Sequence, residues 1–162
     1  MTGADHEVRV VPSVLDRLID EDPKSRRDAP GARAESVREL RRAVQRDLDN
    51  LLNSRDAFAD LSPDFVEAGQ SVLKYGLPDF STMNLANAPD RNRVRLIIET
   101  AIRTFEPRLT GIVVTVAPVT PTDRSLRLRL DARLIVAPST TPIGFDIRLP
   151  PQARTYEVKE IE

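Results

Sequence analysis

A helical stripe that runs into a proline and emerges as a β-branched run is the feature that leaves this chain the least conformational freedom. Beyond Asp90 the apolar residues fall at Val94, Ile97, Ile98, Ala101, Ile102 and Phe105, the spacing of a helix that buries one face. Asp90 is placed to cap it. Pro107 has no N–H to donate and pushes Glu106 toward an extended conformation, so the helix should close at about Phe105 or Glu106. Ile112, Val113, Val114 and Val116 then favour a strand. Helix and strand meet in one rigid corner with Glu106 and Arg108 at its tip. Two residues apart in an extended segment, these project the same way and present a carboxylate and a guanidinium together. Taken alone, such a pair is a surface ion pair worth about 0–1 kcal/mol.

Past the corner the pattern becomes that of an antiparallel sheet. Thr120 to Arg124 is a turn. After it Leu126, Leu128, Leu130, Ala132, Leu134 and Val136 alternate with Arg127, Arg129, Asp131 and Arg133, Ile135 being the exception. One face of that strand is buried and one wet, the pattern of a sheet covered on a single side. Pro138 to Pro142 predicts the next turn. Ile143, Phe145, Ile147 and Leu149 then form a third alternating strand ended by Pro150-Pro151. Thr155 to Val158 can add a short fourth.

The first half is helical. Ser36 and Glu39 form an S-x-x-E capping box, and Val37, Leu40, Val44, Leu48, Leu51 and Leu52 carry one stripe to about Asn53. The opposite face, with Arg38, Arg41, Arg42, Arg46, Asp47 and Asp49, reads as a solvated, salt-bridged surface. Between Arg55 and Ala88 the pattern is irregular. Ser62-Pro63-Asp64 can start a short helix there, and Phe58, Leu61, Phe65, Val72 and Leu73 are available to anchor the segment to the core. Gly76 can take a left-handed conformation after a helical turn, and Pro78 prevents the helix from resuming. Near the N-terminus Ser13 can cap a two-turn helix to about Asp20 with Val14, Leu15, Leu18 and Ile19 on one face. Two turns cannot stand alone, so this helix must dock on its own domain or in a partner's groove. Glu21 to Ala34 has no large aliphatic residue, two prolines and a glycine, and reads as a linker. The expected organisation is a tail, 1–35, with a short docking helix, and an α+β domain, 36–162, whose helices pack on one face of a three- or four-stranded antiparallel sheet.

Composition removes most chemistries. The 162 residues include no cysteine and one histidine, so disulfide scaffolds, thiol catalysis and most metal schemes lack the residues they need. Basic and acidic residues number 24 and 25, and that balance gives no global field for nucleic acid or anionic lipid. No stretch is long and apolar enough to span a membrane, and the first residues lack a secretory signal's apolar core, so the chain is expected to stay in the cytoplasm. Phosphate-binding loops, nucleophile elbows and zinc or calcium motifs do not occur. Carboxylate chemistry survives as an enzymatic option, with Glu99, Glu106 or Asp79 as candidates, but their spacing does not support a glycosidase pair.

Several separated segments carry a resemblance: Pro12 to Leu18, Val44 to Arg55, Ser71 through Tyr75 to Asp79, the helix end Phe105-Glu106-Pro107-Arg108-Leu109, Phe145 to Leu149 and Tyr156-Glu157-Val158. In this order they resemble TssE, the type VI secretion baseplate family related to the lysozyme-like wedge proteins of contractile-tail phages. The resemblance implies a non-enzymatic wedge subunit without cofactor, nucleic-acid or small-molecule ligand. It would be held by TssF and TssG beside TssK and the sheath, in a cytoplasmic baseplate docked at the inner membrane. It implies a partner-binding surface at Glu106, Pro107 and Arg108, to which Tyr75 and, on the docking helix, Leu15 and Leu18 are added. A wedge subunit of a phage tail or extracellular injection particle is the alternative, and a peptidoglycan-cleaving lysozyme is implied only by the family's older label.

Overall fold

The computed structural model describes residues 37–58, 62, 64–69, 71–80, 82–117, 125–136, 139–150 and 155–161. The docking helix at 13–20, the linker and the Ser36 cap lie outside them. The described elements are α1 (Val37–Asn53), a four-residue α2 (Val66–Gly69), one 3-10 turn (Val72–Lys74), α3 (Ala88–Phe105), and strands β1 (Leu109–Val116), β2 (Leu126–Val136), β3 (Ser139–Leu149) and β4 (Glu157–Ile161). The strands form one antiparallel sheet in the order β1-β2-β3-β4. The fold is α+β, with both long helices packed on the sheet's inner face. Leu40, Val44, Leu48, Leu51 and Leu52 of α1 and Val94, Ile98, Ala101 and Ile102 of α3 meet Leu128, Leu130, Leu134, Phe145 and Ile147 in one core.

Most departures from the sequence pattern have a local cause. Helix α3 begins two residues before Asp90, with Asn87 as its N-cap, because Pro89 suits a first turn, where no N–H partner is needed. Asp90 sits in that first turn and accepts the Asn84 amide at 3.1 Å. In β1 the register with β2 shifts between Thr110 and Val113. Gly111, at φ 62°, supplies the left-handed residue of a bulge, which lets Leu109, Ile112 and Val114 all turn inward. Strand β3 starts at Ser139 and contains Pro142 rather than following it. Pro142 is in register with Arg133 of β2, but β4 pairs only with Gly144 to Arg148, so on its other side Pro142 lies at an open edge, where a proline is tolerated.

The 55–88 segment is anchored differently from expectation. Phe58, Phe65, Val72 and Leu73 are all exposed, since α2 is too short to bury a face. Tyr75, Leu77, Phe80, Met83 and Leu85 pack on the core instead. Leu77 is drawn in by a parallel bridge to Arg55, its amide donating to the Ser54 carbonyl at 2.9 Å and its carbonyl accepting from Asp56 at 3.0 Å. Gly76 makes this approach possible. At φ 117° its backbone passes so near that a Cβ would stand 2.6 Å from the Ser54 carbonyl oxygen.

Both margins of the sheet are closed by helix side chains spaced one turn apart. Along β4, Gln45 donates to the Val158 carbonyl at 2.9 Å, Asp49 accepts the Val158 amide at 3.2 Å, and Asn53 both donates to the Tyr156 carbonyl (3.0 Å) and accepts its amide (2.7 Å). Arg41 continues the row onto Glu160 at 2.8 Å. Along β1, Arg95 donates to the Val114 carbonyl (3.2 Å), Glu99 accepts the Val114 amide (3.3 Å), and Arg103 donates to the Ile112 carbonyl (3.0 Å). Glu99 also pairs with both arginines. Each helix thus stands in for a missing strand, satisfying edge groups that would otherwise template pairing. Arg41 and Asp49 therefore do more than solvate α1's outer face.

Candidate partner-binding corner

The corner between α3 and β1 is a turn rather than an extended segment. Glu106 closes the helix by donating its amide to Ile102, and the Leu109 amide returns to the Glu106 carbonyl at 3.2 Å. Pro107 holds the second position of that turn, where its fixed φ is pre-set. In this geometry the Glu106 carboxylate folds onto the next residues. It accepts the Arg108 backbone amide at 3.2 Å, Arg108 Nε at 2.6 Å and Arg108 Nη2 at 2.5 Å. The two-residue spacing does bring acid and guanidinium together, but through a forked contact inside the turn. Glu106 is 3% exposed. It is not a surface acid, and what it offers a neighbour passes through Arg108.

A third residue, which the sequence pattern assigned to a solvated face, completes the arrangement. Asp47 on α1 accepts from Arg108 Nη2 at 2.5 Å and also pairs with Arg46 at 3.3 Å. Arg108 therefore ties the corner to the middle of α1, its side chain 22% exposed. Burial acts against the charge on Arg108, but the hydrogen bonds and charges of Glu106 and Asp47 outweigh it and hold the group above its ordinary value. A sign was present in the sequence: Asp47 lies one residue before buried Leu48, on the margin between wet and buried faces.

Tyr75 borders this cluster. Its ring meets Phe105 edge-on, with centroids 5.4 Å apart and planes at 73°, a favoured aromatic arrangement. Burial, then the charges of Asp47 and Glu106, raise its hydroxyl above the usual phenol range. Glu106, Pro107, Arg108 and Tyr75 are thus brought into one neighbourhood, Pro107 exposed and Arg108 and Tyr75 partly so. Leu15 and Leu18 lie outside the described residues. The carboxylates considered for hydrolysis are engaged as well: Glu106 with Arg108, Glu99 between Arg95 and Arg103, and Asp79 beside Arg55 at 3.8 Å. Among the described residues no group of three or more acidic or histidine side chains could hold a metal. No described helix is long and apolar enough to cross a membrane.

Residues 38–139, more than half of the chain, match the family of baseplate wedge protein gp25. The chain belongs to the gp25 baseplate wedge family. That family's proteins are structural parts of baseplates, and the corner of this gp25-family chain lies within the matched region. A solved chain described as the baseplate complex from the type VI secretion system is similar at 18% identity and a TM-score of 0.46. The likeness covers 77% of this chain and 96% of that one. No curated protein matches.

Proposed function

We propose that this chain is a non-enzymatic wedge subunit of a type VI secretion baseplate, joining a TssF/TssG core beside TssK and the sheath. The baseplate would lie in the cytoplasm, docked at the inner membrane. Membership of the gp25 family, together with the sequence resemblance centred on Glu106-Pro107-Arg108, supports the reading. One observation carries the site: a proline turn in which buried Glu106 and half-buried Asp47 hold Arg108 from two sides, leaving part of a charged, planar fork at the surface beside Pro107 and Tyr75. Fixing a guanidinium before association lowers the entropy lost on binding, and arginine and tyrosine recur among residues that dominate interfaces. In this role Glu106 is a positioning residue and Arg108, Pro107 and Tyr75 are the contact.

The test is co-purification of TssF and TssG with tagged variants. Arg108→Ala and Pro107→Glu are expected to lose the partners while keeping the circular dichroism spectrum of the folded chain. Pro107→Glu retains Glu106, Arg108 and Asp47, and comparing its urea midpoint with that of the original chain separates a binding defect from a folding one. Partners retained at the original level by both variants would overturn the site. A wedge of a phage tail or extracellular particle is distinguished by gene neighbours, with capsid genes pointing to the phage.

A further inference from the structure

Helix α3 carries two stripes at helical spacing, and the core uses one. Val94, Ile98, Ala101 and Ile102 face inward, whereas Leu96, Ile97, Thr100 and Thr104 line a groove of about 360 Å³ whose other side includes Lys74, Gly76 and Pro78. Leu96 is 47% exposed, and the stretch leading to Lys74 leaves Phe65, Val66, Val72 and Leu73 exposed too. An apolar groove with such surroundings marks a surface made to be covered.

We infer that the groove seats this chain's own residues 13–20. Their apolar positions, Val14, Leu15, Leu18 and Ile19, fall on one face at helical spacing. Eight helical residues run about 12 Å, the length of α3 from Ile97 to Thr104. Charge agrees with this placement at one end of the groove. Asp16 and Asp20 flank the apolar face on either side of Arg17, and Arg93, exposed one turn before Ile97 on the same stripe, is basic, whereas Lys74 across the groove is already paired at 2.7 Å with Asp56, which lines it too.

The tether decides between this occupant and an outside helix. Near its start, α1 is fixed beside β3 and β4 by Arg41, which bonds Pro142 and Glu160. Just past its end, Ser54 touches the Gly76–Leu77 wall of the groove. Residues 21–36 must therefore reach back over roughly the length of α1, 17 residues or about 25 Å. For a random coil of sixteen residues the root-mean-square span is about 22 Å. A linker matched to its span gives an effective concentration on the order of millimolar, so even a weak two-turn contact is occupied within one molecule.

Because the chain has no cysteine, the seat can be tested by pairing two introduced ones in the full chain. Leu18→Cys, on the apolar face, with Thr100→Cys is compared with Leu18→Cys and Arg129→Cys, Arg129 lying on the exposed outer face of the sheet. Under dilute oxidising conditions the first pair is expected to form its intramolecular disulfide about ten times faster, the advantage of a matched tether with a seat over one without. Leu15→Asp added to the first pair should remove the difference. Equal rates for the two pairs would overturn the inference and leave the groove to a partner, and disulfide-linked dimers as the main product of the first pair would overturn it in favour of a second copy.

Discussion

The Glu106 carboxylate is buried at the corner and held there by Arg108. As one of two charges at a helix end it would be worth little. Buried, with three contacts from Arg108, it cannot be removed singly without consequence: losing one partner of a buried pair leaves the other unmatched, which costs about 3–5 kcal/mol. Asp47 remains on Arg108, so Glu106→Gln is expected at the lower end, about 3 kcal/mol by urea denaturation. A loss below about 0.5 kcal/mol would mean the pair behaves as a surface bridge. Tyr156 gives the opposite prediction. It is 8% exposed, and its hydroxyl has no hydrogen-bond partner among the described residues. Tyr156→Phe removes a buried polar atom that gains nothing, so stability should hold or rise by up to about 1 kcal/mol. A loss of that size would reveal a partner for the hydroxyl.

The individual elements were largely legible before their contacts were. Stripes and alternation locate α1, α3, β2 and β3 because burial imposes its period directly on the sequence. The bulge at Gly111 was hidden, since one glycine before a β-branched run signals no change of register until the neighbouring strand is in place. The same holds for the rows Arg41, Gln45, Asp49, Asn53 and Arg95, Glu99, Arg103. Their one-turn spacing could be seen, but it also fits an ordinary solvated face, and only strand order shows which edge each row meets. Two predictions belong here. Glu99→Ala removes the acceptor of the Val114 amide and the link between two arginines, so that amide should exchange faster with solvent. The variant should also self-associate more in sedimentation, while an unchanged exchange rate at Val114 would contradict the closure of β1. Gly76→Ala forces a Cβ into the Ser54 carbonyl at a φ that L residues rarely adopt. By urea denaturation it should cost at least about 2 kcal/mol, well above an ordinary glycine-to-alanine change.

For the whole molecule, the alkaline limb of stability is set by the tyrosines. Burial raises Tyr156 to about 12, and Tyr75 is raised as well. Above a pH of about 10 the unfolded chain gives up these protons while the folded chain keeps them, so stability falls as pH rises from about 10 toward 12. For Tyr156 the slope is on the order of 1 kcal/mol per pH unit. Tyr156→Phe should flatten that limb, and an identical slope in the variant would assign it to other groups. The corner shows the limit of reading at this scale. Its residues were apparent from Pro107 and its neighbours, whereas the clamp on Arg108 depends on α1 passing the same point, which is a property of the assembled core. The two helix-sealed margins have one more consequence. A baseplate concentrates many copies of its parts in a small volume, the setting in which bare strands knit into fibres. A subunit whose outer strands already bond its own helices at Ile112, Val114 and Val158 can be stockpiled and then placed by matching surfaces, so that fit, not generic stickiness, sets where it goes.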